Sequence, residues 1–239
     1  TMNDIKNYFK ENISPQVSHF HVAGKITQST IERSLQLLSK NWIGSNVEIP
    51  EIKTSKTPTR AKVYFIDIPG AKQSAITLGS LSIPGGSPEL YKYSVVNNRL
   101  GGGMEARLMR TLRLEKGYTY GAGSFFRENS YQTPFYAYSQ VRSNVTLESL
   151  EIFKNIINGY AKSYNSEDLE LTKNKLIKQN ALRFERLGSL LNMLDTMSKF
   201  NFPDTYIQRQ QDVLTSMSLE EAQSIAESQF NADKMYFVV

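Results

Sequence analysis

The spacing of apolar residues changes part-way along the chain, and this change limits the folds that the chain can adopt. Between about residues 61 and 142, short runs in which apolar and polar residues alternate predict strands. After residue 145 apolar residues recur every three or four positions, which is typical of helices with one buried face. Strands followed by a run of helices favour an α+β fold over a regular βαβ winding. We therefore predict a mostly antiparallel sheet packed against a helical layer.

The elements and their boundaries follow from the same patterns. Strands are predicted at 17–24, 61–68, 73–82, 118–126, 134–142 and 235–239. Helices are predicted from Thr27 or Ser29 to Trp42, at 88–100 and 104–112, and over most of 146–234. Residues 44–60 are polar and contain two prolines, so they are predicted to be a linker. We expect residues 1–60 to form a strand-helix segment with this linker, and 61–239 the main domain of one structural unit.

Composition excludes several classes of protein. The chain has 239 residues, and its 40% hydrophobic content is enough for a packed core, so it is not a disordered chain. It has no cysteine, which excludes disulfides, cysteine-based zinc sites and thiol catalysis. No apolar run is long enough to predict a membrane span. The first residues, Thr1 and Met2, indicate a processed end or a fragment, so the compartment stays open between a bacterial cell envelope or periplasm and the cytoplasm.

The two histidines, His19 and His21, lie two positions apart on a predicted strand, so their rings share one face. A catalytic zinc normally has three protein ligands, and no carboxylate spacing near this pair resembles a metallopeptidase helix. A serine or cysteine triad would also have to use one of these two rings. We interpret both as structural or solvent-facing, and predict no metal site in this chain.

The glycines at 101–103 and the residues after them invite two other interpretations. Gly101, Gly103 and Ala106 match a relaxed dinucleotide fingerprint, but a predicted helix precedes them where the fingerprint needs a strand. We interpret these glycines as a joint between helices. Residues 99–116 hold five basic residues and two acidic ones, so nucleic-acid binding stays an alternative. Arg107 and Arg110 are nevertheless expected on a solvated helix face, and no stacking aromatic residue lies there, so we predict no nucleic-acid partner.

Residues 101–120 contain a more specific pattern. A Gly-rich joint leads into a helix that ends in Leu-Arg at Arg113, followed by an acidic-basic-Gly turn at Gly117 and by Tyr120, seven residues after the arginine. This pattern resembles the second, non-catalytic half of the pitrilysin/insulinase family of zinc metallopeptidases, which includes the processing peptidases. The resemblance extends to residues 4–42, which are similar to the family's join between halves, and to 69–74, which are similar to the start of its second half.

The resemblance implies a fold, a partner and a role for three residues. The fold is the metalloenzyme half-domain of the LuxS and processing-peptidase type. Arg113 and Tyr120 would stabilise negative charge on the scissile carbonyl oxygen of an extended peptide substrate, and Tyr118 would line the same chamber. The family's inverted His-x-x-Glu-His zinc helix does not occur in this sequence. The resemblance therefore places zinc in a complementary half, on the same polypeptide or a separate subunit, and this chain is not catalytic alone.

Two functions follow from these observations. The first is a substrate-binding, non-catalytic C-terminal domain of a zinc-dependent endopeptidase. The alternative is a non-enzymatic scaffold or subunit-interaction protein derived from the same family. The two differ in whether a zinc-bearing half is present in the assembled protein.

Overall fold

The structure is a computed structural model that describes all residues from 1 to 239. The chain forms two compact units, one of residues 1–53 with 180–203 and one of residues 54–179 with 204–239. The sequence predicted one structural unit with a boundary between its two parts at residue 60. That boundary stays a prediction.

The structure contains nine α-helices and five strands. The helices are α1 (Met2–Asn12), α2 (Gln28–Asn41), α3 (Leu90–Gly101), α4 (Arg107–Met109), α5 (Thr146–Ser163), α6 (Ser166–Arg183), α7 (Leu187–Phe200), α8 (Tyr206–Ser216) and α9 (Leu219–Gln229). The strands are β1 (Lys62–Tyr64), β2 (Gln73–Leu81), β3 (Thr119–Phe126), β4 (Pro134–Arg142) and β5 (Tyr236–Val238). No helix is both long and apolar enough to cross a membrane.

The first unit corrects one prediction. Residues 17–24 were expected to form a strand, but Pro15–Val17 form a 3-10 turn and the extended backbone after it has no partner strand. A strand needs hydrogen bonds from a neighbour, and the alternation of side chains does not supply one. The predicted start of α2 is confirmed, because the Thr27 hydroxyl accepts a hydrogen bond from the Thr30 amide at 3.3 Å.

The second unit contains the sheet, whose strand order is β1-β5-β2-β4-β3. Only the β1–β5 pair is parallel, so the prediction of an α+β fold with a mostly antiparallel sheet is confirmed. The strand predicted at 61–68 is shorter than expected, because only Lys62–Tyr64 pair with β5. β2 and β4 pair along their full length, from Gln73 opposite Arg142 to Leu81 opposite Pro134.

One face of the sheet carries the core. Its inward residues on β2 and β4 alternate with outward ones, and they pack under α3, α5 and α9. The buried cluster includes Ile76, Leu78, Phe135, Ala137, Val96, Leu100, Phe153, Ile157, Tyr160 and Phe230. The Tyr160 hydroxyl donates a hydrogen bond to the carbonyl oxygen of Val96 at 2.5 Å, which joins α5 to α3. The opposite face of the sheet exposes aromatic side chains, described below.

Candidate functional site

The segment that carries the predicted site runs from the end of α3 to the start of β3. The helix expected at 104–112 is α-helical only over Arg107–Met109, and Arg110–Glu115 form a π-helical turn. The Lys116 amide donates to the carbonyl oxygen of Thr111 at 3.0 Å, the five-residue spacing that defines this wider turn. Single π turns inside α-helices often lie at functional sites.

Two features stabilise the wide turn and end it. Leu108 and Leu112 are fully buried, so they hold the inner side of the turn against the core. Gly117 has a φ of +64°, a left-handed conformation that glycine adopts without steric cost. The chain then reverses into β3, and the Tyr118 amide donates to the carbonyl oxygen of Leu112 at 2.9 Å.

Arg113 lies on the outer side of the π turn and is exposed. Its Nη1 atom lies 3.6 Å from the sulfur of Met104, a weak acceptor, and no carboxylate pairs with its guanidinium. The charge of this arginine is therefore available to a ligand.

A β-bulge separates the environments of the two predicted tyrosines. Thr119 pairs with Val141 but Ala122 pairs with Ser139, so β3 has one extra residue there. Bulges of this kind redirect a side chain, and Tyr120 lies within it with 89% of its surface exposed. Tyr118, just before β3, is half-buried against the core. No hydrogen bond joins Arg113 to Tyr120; both side chains are exposed at the same turn from helix to strand.

The basic segment, residues 99–116, is less exposed to solvent than the sequence predicted. Arg99 Nε lies 2.9 Å from Asp168 Oδ1, and Arg107 Nη2 contacts Asp168 Oδ2, so both arginines pair with one buried carboxylate on α6. Arg110 pairs with Glu115 at 3.0 Å on the surface. The prediction of a solvated face is thus wrong for Arg107. These pairs also weaken the nucleic-acid alternative, because most of the segment's positive charge is neutralised within the protein.

The same cluster perturbs two buried tyrosines. The Arg107 guanidinium lies 4.7 Å from the centre of the Tyr160 ring and donates to the carbonyl oxygen of Ser163 at 2.7 Å. Burial, followed by the negative charge of Asp168, raises the pKa of Tyr164 to about 12. Burial also raises the pKa of Tyr160 well above its ordinary value. These groups stay neutral at physiological pH, so they support the turn structurally.

Aromatic side chains cover the outer face of the sheet, toward the end of β3 that is distant from this turn. The rings of Phe125 and Tyr136 lie 5.5 Å apart between centres, and those of Phe125 and Tyr138 lie 5.8 Å apart, edge to face. The sequence indicated an aromatic, half-buried surface here but did not identify these residues as a site. Buried and exposed residues alternate along β4. Because Phe135 and Ala137 point inward, this alternation places Tyr136 and Tyr138 on the outer face and could have identified them.

A shallow groove continues across this face. It has a volume of about 380 Å³ and is lined by residues of β2, β4 and β5, with Lys56 at its side. Gly79 lies under the Tyr136 ring, because a Cβ atom there would lie 3.5 Å from Tyr136 Cδ1. With no side chain at Gly79, the groove presents a flat, largely apolar surface on the inner strands of the sheet. Such a surface suits an extended chain better than a compact small molecule.

The described residues, from 1 to 239, contain no group of three or more His, Asp or Glu side chains placed to hold a metal ion. The rings of His19 and His21 lie parallel, 6.2 Å apart between centres, so they share one face as predicted.

Comparison with known proteins identifies the family. A family model described as the peptidase M16 inactive domain matches residues 1–176. The chain belongs to this family. The resemblance found in the sequence is therefore confirmed, and this M16 inactive domain has the half-domain fold that was expected.

Two curated relatives of this M16 domain are longer proteins. A protein of Helicobacter pylori named non-peptidase homolog YmxG is 25% identical over 219 residues, 90% of this chain and 49% of its own length. A protein of Bacillus subtilis named uncharacterized zinc protease YmxG is 30% identical over 129 residues, 51% of this chain and 28% of its own length. This chain spans about half the length of the Helicobacter relative.

Solved structures share the fold. A peptidase M16 inactive domain from Pseudomonas fluorescens superposes with a TM-score of 0.77 at 23% identity, covering 90% of this chain and 51% of that one. A protease from Helicobacter pylori superposes with a TM-score of 0.84 at 13% identity, covering all of this chain and 58% of that one. In both cases the M16 domain corresponds to about half of a longer chain.

Proposed function

We propose that this chain is the substrate-binding, non-catalytic half of a two-half zinc endopeptidase. Its outer sheet face holds an extended peptide, and the turn from the π helix into β3 presents Arg113 and Tyr120 to the scissile bond. Tyr118, half-buried at the start of β3, lines the same end of the sheet.

The observation that carries this proposal is that Arg113 and Tyr120 are both exposed donors at one turn. Hydrolysis of an amide builds negative charge on the carbonyl oxygen, and donors held in place before the reaction stabilise that charge. A guanidinium gives charge-assisted hydrogen bonds, and a phenol adds a neutral one. The buried Leu112 holds the inner side of the turn, and the ion pair of Arg107 with Asp168 holds the residues just before it, so the backbone that carries Arg113 is packed in place.

The complementary half would hold zinc, which would supply the attacking water. This chain would bind the substrate backbone along its outer face and orient the carbonyl oxygen toward the two donors. The groove lined by Tyr136 and Tyr236 is shallow and open to solvent, which suits unfolded segments.

Steady-state kinetics of the assembled two-half protein test the roles of the two donors. We expect Arg113→Ala and Tyr120→Phe each to lower kcat by about 10²-fold with little change in KM, because each donor acts mainly on the transition state. Lys116→Ala and Tyr64→Phe are matched controls: Lys116 is an exposed cation beside the same turn, and Tyr64 lies on β1, at the opposite edge of the sheet. Full activity in both donor variants would exclude the role.

A second candidate function is a scaffold without peptidase activity. The name of the Helicobacter pylori relative, non-peptidase homolog, favours it, since that protein aligns with 90% of this chain. Sequencing the half that accompanies this chain distinguishes the two functions. A His-x-x-Glu-His helix there supports the peptidase, and a half that lacks it supports the scaffold.

A further inference from the structure

A cavity lies between the end of α3, the loop before α4 and one face of α6. Its volume is about 610 Å³, and all of its lining residues belong to the second compact unit. Met104, Ala106 and Leu171 give it apolar surface. Three cations and one carboxylate also line it: Arg99, Lys175, Lys178 and Glu105. A concave site with apolar walls and a few charged groups is typical of a ligand pocket.

One face of α6 forms the cationic side of the cavity. Four lining residues lie at three- and four-residue spacings, so they share this face: Leu171, Asn174, Lys175 and Lys178. Lys175 Nζ donates to the carbonyl oxygen of Gly102 at 3.2 Å and to Asn98 Oδ1 at 3.1 Å, which holds the ammonium at the end of α3. Gly103 leaves room for it, since a Cβ atom there would lie 3.2 Å from Nζ. Both acceptors are neutral, so no carboxylate balances the charge of Lys175.

The charges around the cavity do not cancel. Lys178 is exposed and makes no hydrogen bond or ion pair with another residue of the protein. Glu105 is 90% exposed and lies 3.9 Å from Arg99 Nη1, at the limit of an ion pair. Arg99 shares the carboxylate of Asp168 with Arg107. The cavity and the Asp168 pairs together hold four cations and two carboxylates, so the cavity attracts an anionic group.

Met104 connects this cavity to the turn that carries Arg113. Its side chain lines the cavity, and its sulfur lies 3.6 Å from Arg113 Nη1. One side chain therefore separates the cavity from the guanidinium to which we assign the scissile carbonyl. An extended peptide advances about 3.3 Å per residue, so a substrate residue within about three positions of that carbonyl reaches the cavity.

We propose that this cavity is a subsite for an acidic side chain of the peptide substrate, close to the scissile bond. The carboxylate pairs with the ammonium of Lys178, beside that of Lys175, and the methylene groups of the same side chain pack on Met104 and Leu171. A group that is charged at one end and aliphatic at the other suits this lining better than an inorganic ion, which gains nothing from apolar walls. The inference rests on the proposed function, because it requires the peptide to pass Arg113.

Peptide selection tests the subsite without requiring cleavage. The assembled two-half protein, treated with a chelator to remove zinc, selects binders from a random library of ten-residue peptides. The selected peptides are then synthesised with glutamine or asparagine in place of each acidic residue. We expect one such replacement to raise Kd by about 5-fold, and Lys178→Met to remove this difference. Lys178→Met should leave the fold intact, because this side chain has no polar partner in the protein.

Two further variants sharpen the test. Lys162→Met removes an exposed lysine of α5 that does not line the cavity, so it makes the same change in net charge and should keep the difference in Kd. Glu105→Gln removes the one carboxylate of the lining and should increase the difference, because that carboxylate repels an acidic side chain.

The outcomes separate this proposal from the proposed function. Selected peptides without an excess of acidic residues would overturn the subsite, and so would a preference that Lys178→Met retains. Tight binding of inorganic phosphate by calorimetry, without an acidic preference among peptides, would show that the cavity takes a free anion instead. An acidic preference that depends on Lys178, with no hydrolysis after zinc is restored, would refute the proposed function alone. Hydrolysis that is indifferent to acidic residues would refute the subsite alone.

Discussion

Gly101 and Ser124 bring the end of α3 into direct contact with the backbone of β3. A Cβ atom on Gly101 would lie 2.1 Å from the Ser124 amide nitrogen and 2.2 Å from its hydroxyl. Two hydrogen bonds reinforce the contact, since the Asn97 side chain donates to the Ser124 carbonyl at 2.9 Å and accepts from its hydroxyl at 2.5 Å. The glycine joint is therefore a site of close packing.

Gly101→Ala should lower the free energy of unfolding by about 1–3 kcal/mol, because a methyl group overlaps backbone atoms that cannot move away easily. Gly159→Ala on α5 is the matched control, since no atom lies within 4 Å of its Cβ position. The control should raise the free energy of unfolding by about 0.5–1 kcal/mol, as alanine does in place of glycine within a helix. Urea titration of both variants measures the difference; equal stability would contradict the close contact.

Asp168→Ala should destabilise the fold strongly. The carboxylate is buried between Arg99 and Arg107, and its removal leaves two largely buried guanidinium groups without a partner. Breaking such a pair costs about 3–5 kcal/mol. Lys154→Ala removes an exposed pair with Asp233, 3.0 Å long, and should cost less than about 1 kcal/mol. Denaturant unfolding that gave similar losses for both variants would show that the buried cluster contributes little.

Much of the fold could be predicted from the sequence because its patterns are local. The alternation of Ile76 and Leu78 on β2 with Phe135 and Ala137 on β4 predicts strands with one buried face, and the structure confirms both. The failed strand at 17–24 shows the limit of this reasoning. Residue alternation shows which side chains share a face, but pairing requires a neighbour that a local pattern does not specify.

The candidate site was only partly predictable for the same reason. The spacing of Arg113, Gly117 and Tyr120 identified the turn, but the π geometry depends on the packing of Leu112. Asp168 lies 69 positions after Arg99, so no local window relates them.

The outer sheet face should affect substrate binding more than turnover. Tyr138 is about half exposed and packs edge to face on Phe125, so a peptide lying on this face would contact its ring. We expect Tyr138→Ser in the assembled peptidase to raise KM by about 2- to 10-fold with kcat almost unchanged, because one aromatic contact is worth about 0.5–1.5 kcal/mol. Tyr138→Phe keeps the ring and should keep the wild-type KM. A fall in kcat at constant KM would contradict a binding role for this face.

Alkaline pH should destabilise the protein through its buried tyrosines. Burial raises the pKa of Tyr164 to about 12, above the ordinary tyrosine value of 10.0, so the folded state holds this proton more tightly than the unfolded state. The resulting stability is fully present below about pH 10 and is lost as the pH rises toward the pKa of the folded state. Tyr164 alone should lower the free energy of unfolding by about 1 kcal/mol between about pH 9 and pH 11.

Tyr160 and Lys92 should add to this alkaline loss. Burial raises the pKa of Tyr160, and hydrogen bonds from Lys92 to Glu221 and Glu89 raise the pKa of Lys92. Urea titrations at the two pH values measure the total loss, and Tyr164→Phe isolates one part of it, because phenylalanine fills the same space without a titrating proton. The variant should lose about 1 kcal/mol less than the wild type over this interval. An equal loss in both proteins would mean that the pKa of Tyr164 is the same in the folded and unfolded states, so that burial does not raise it.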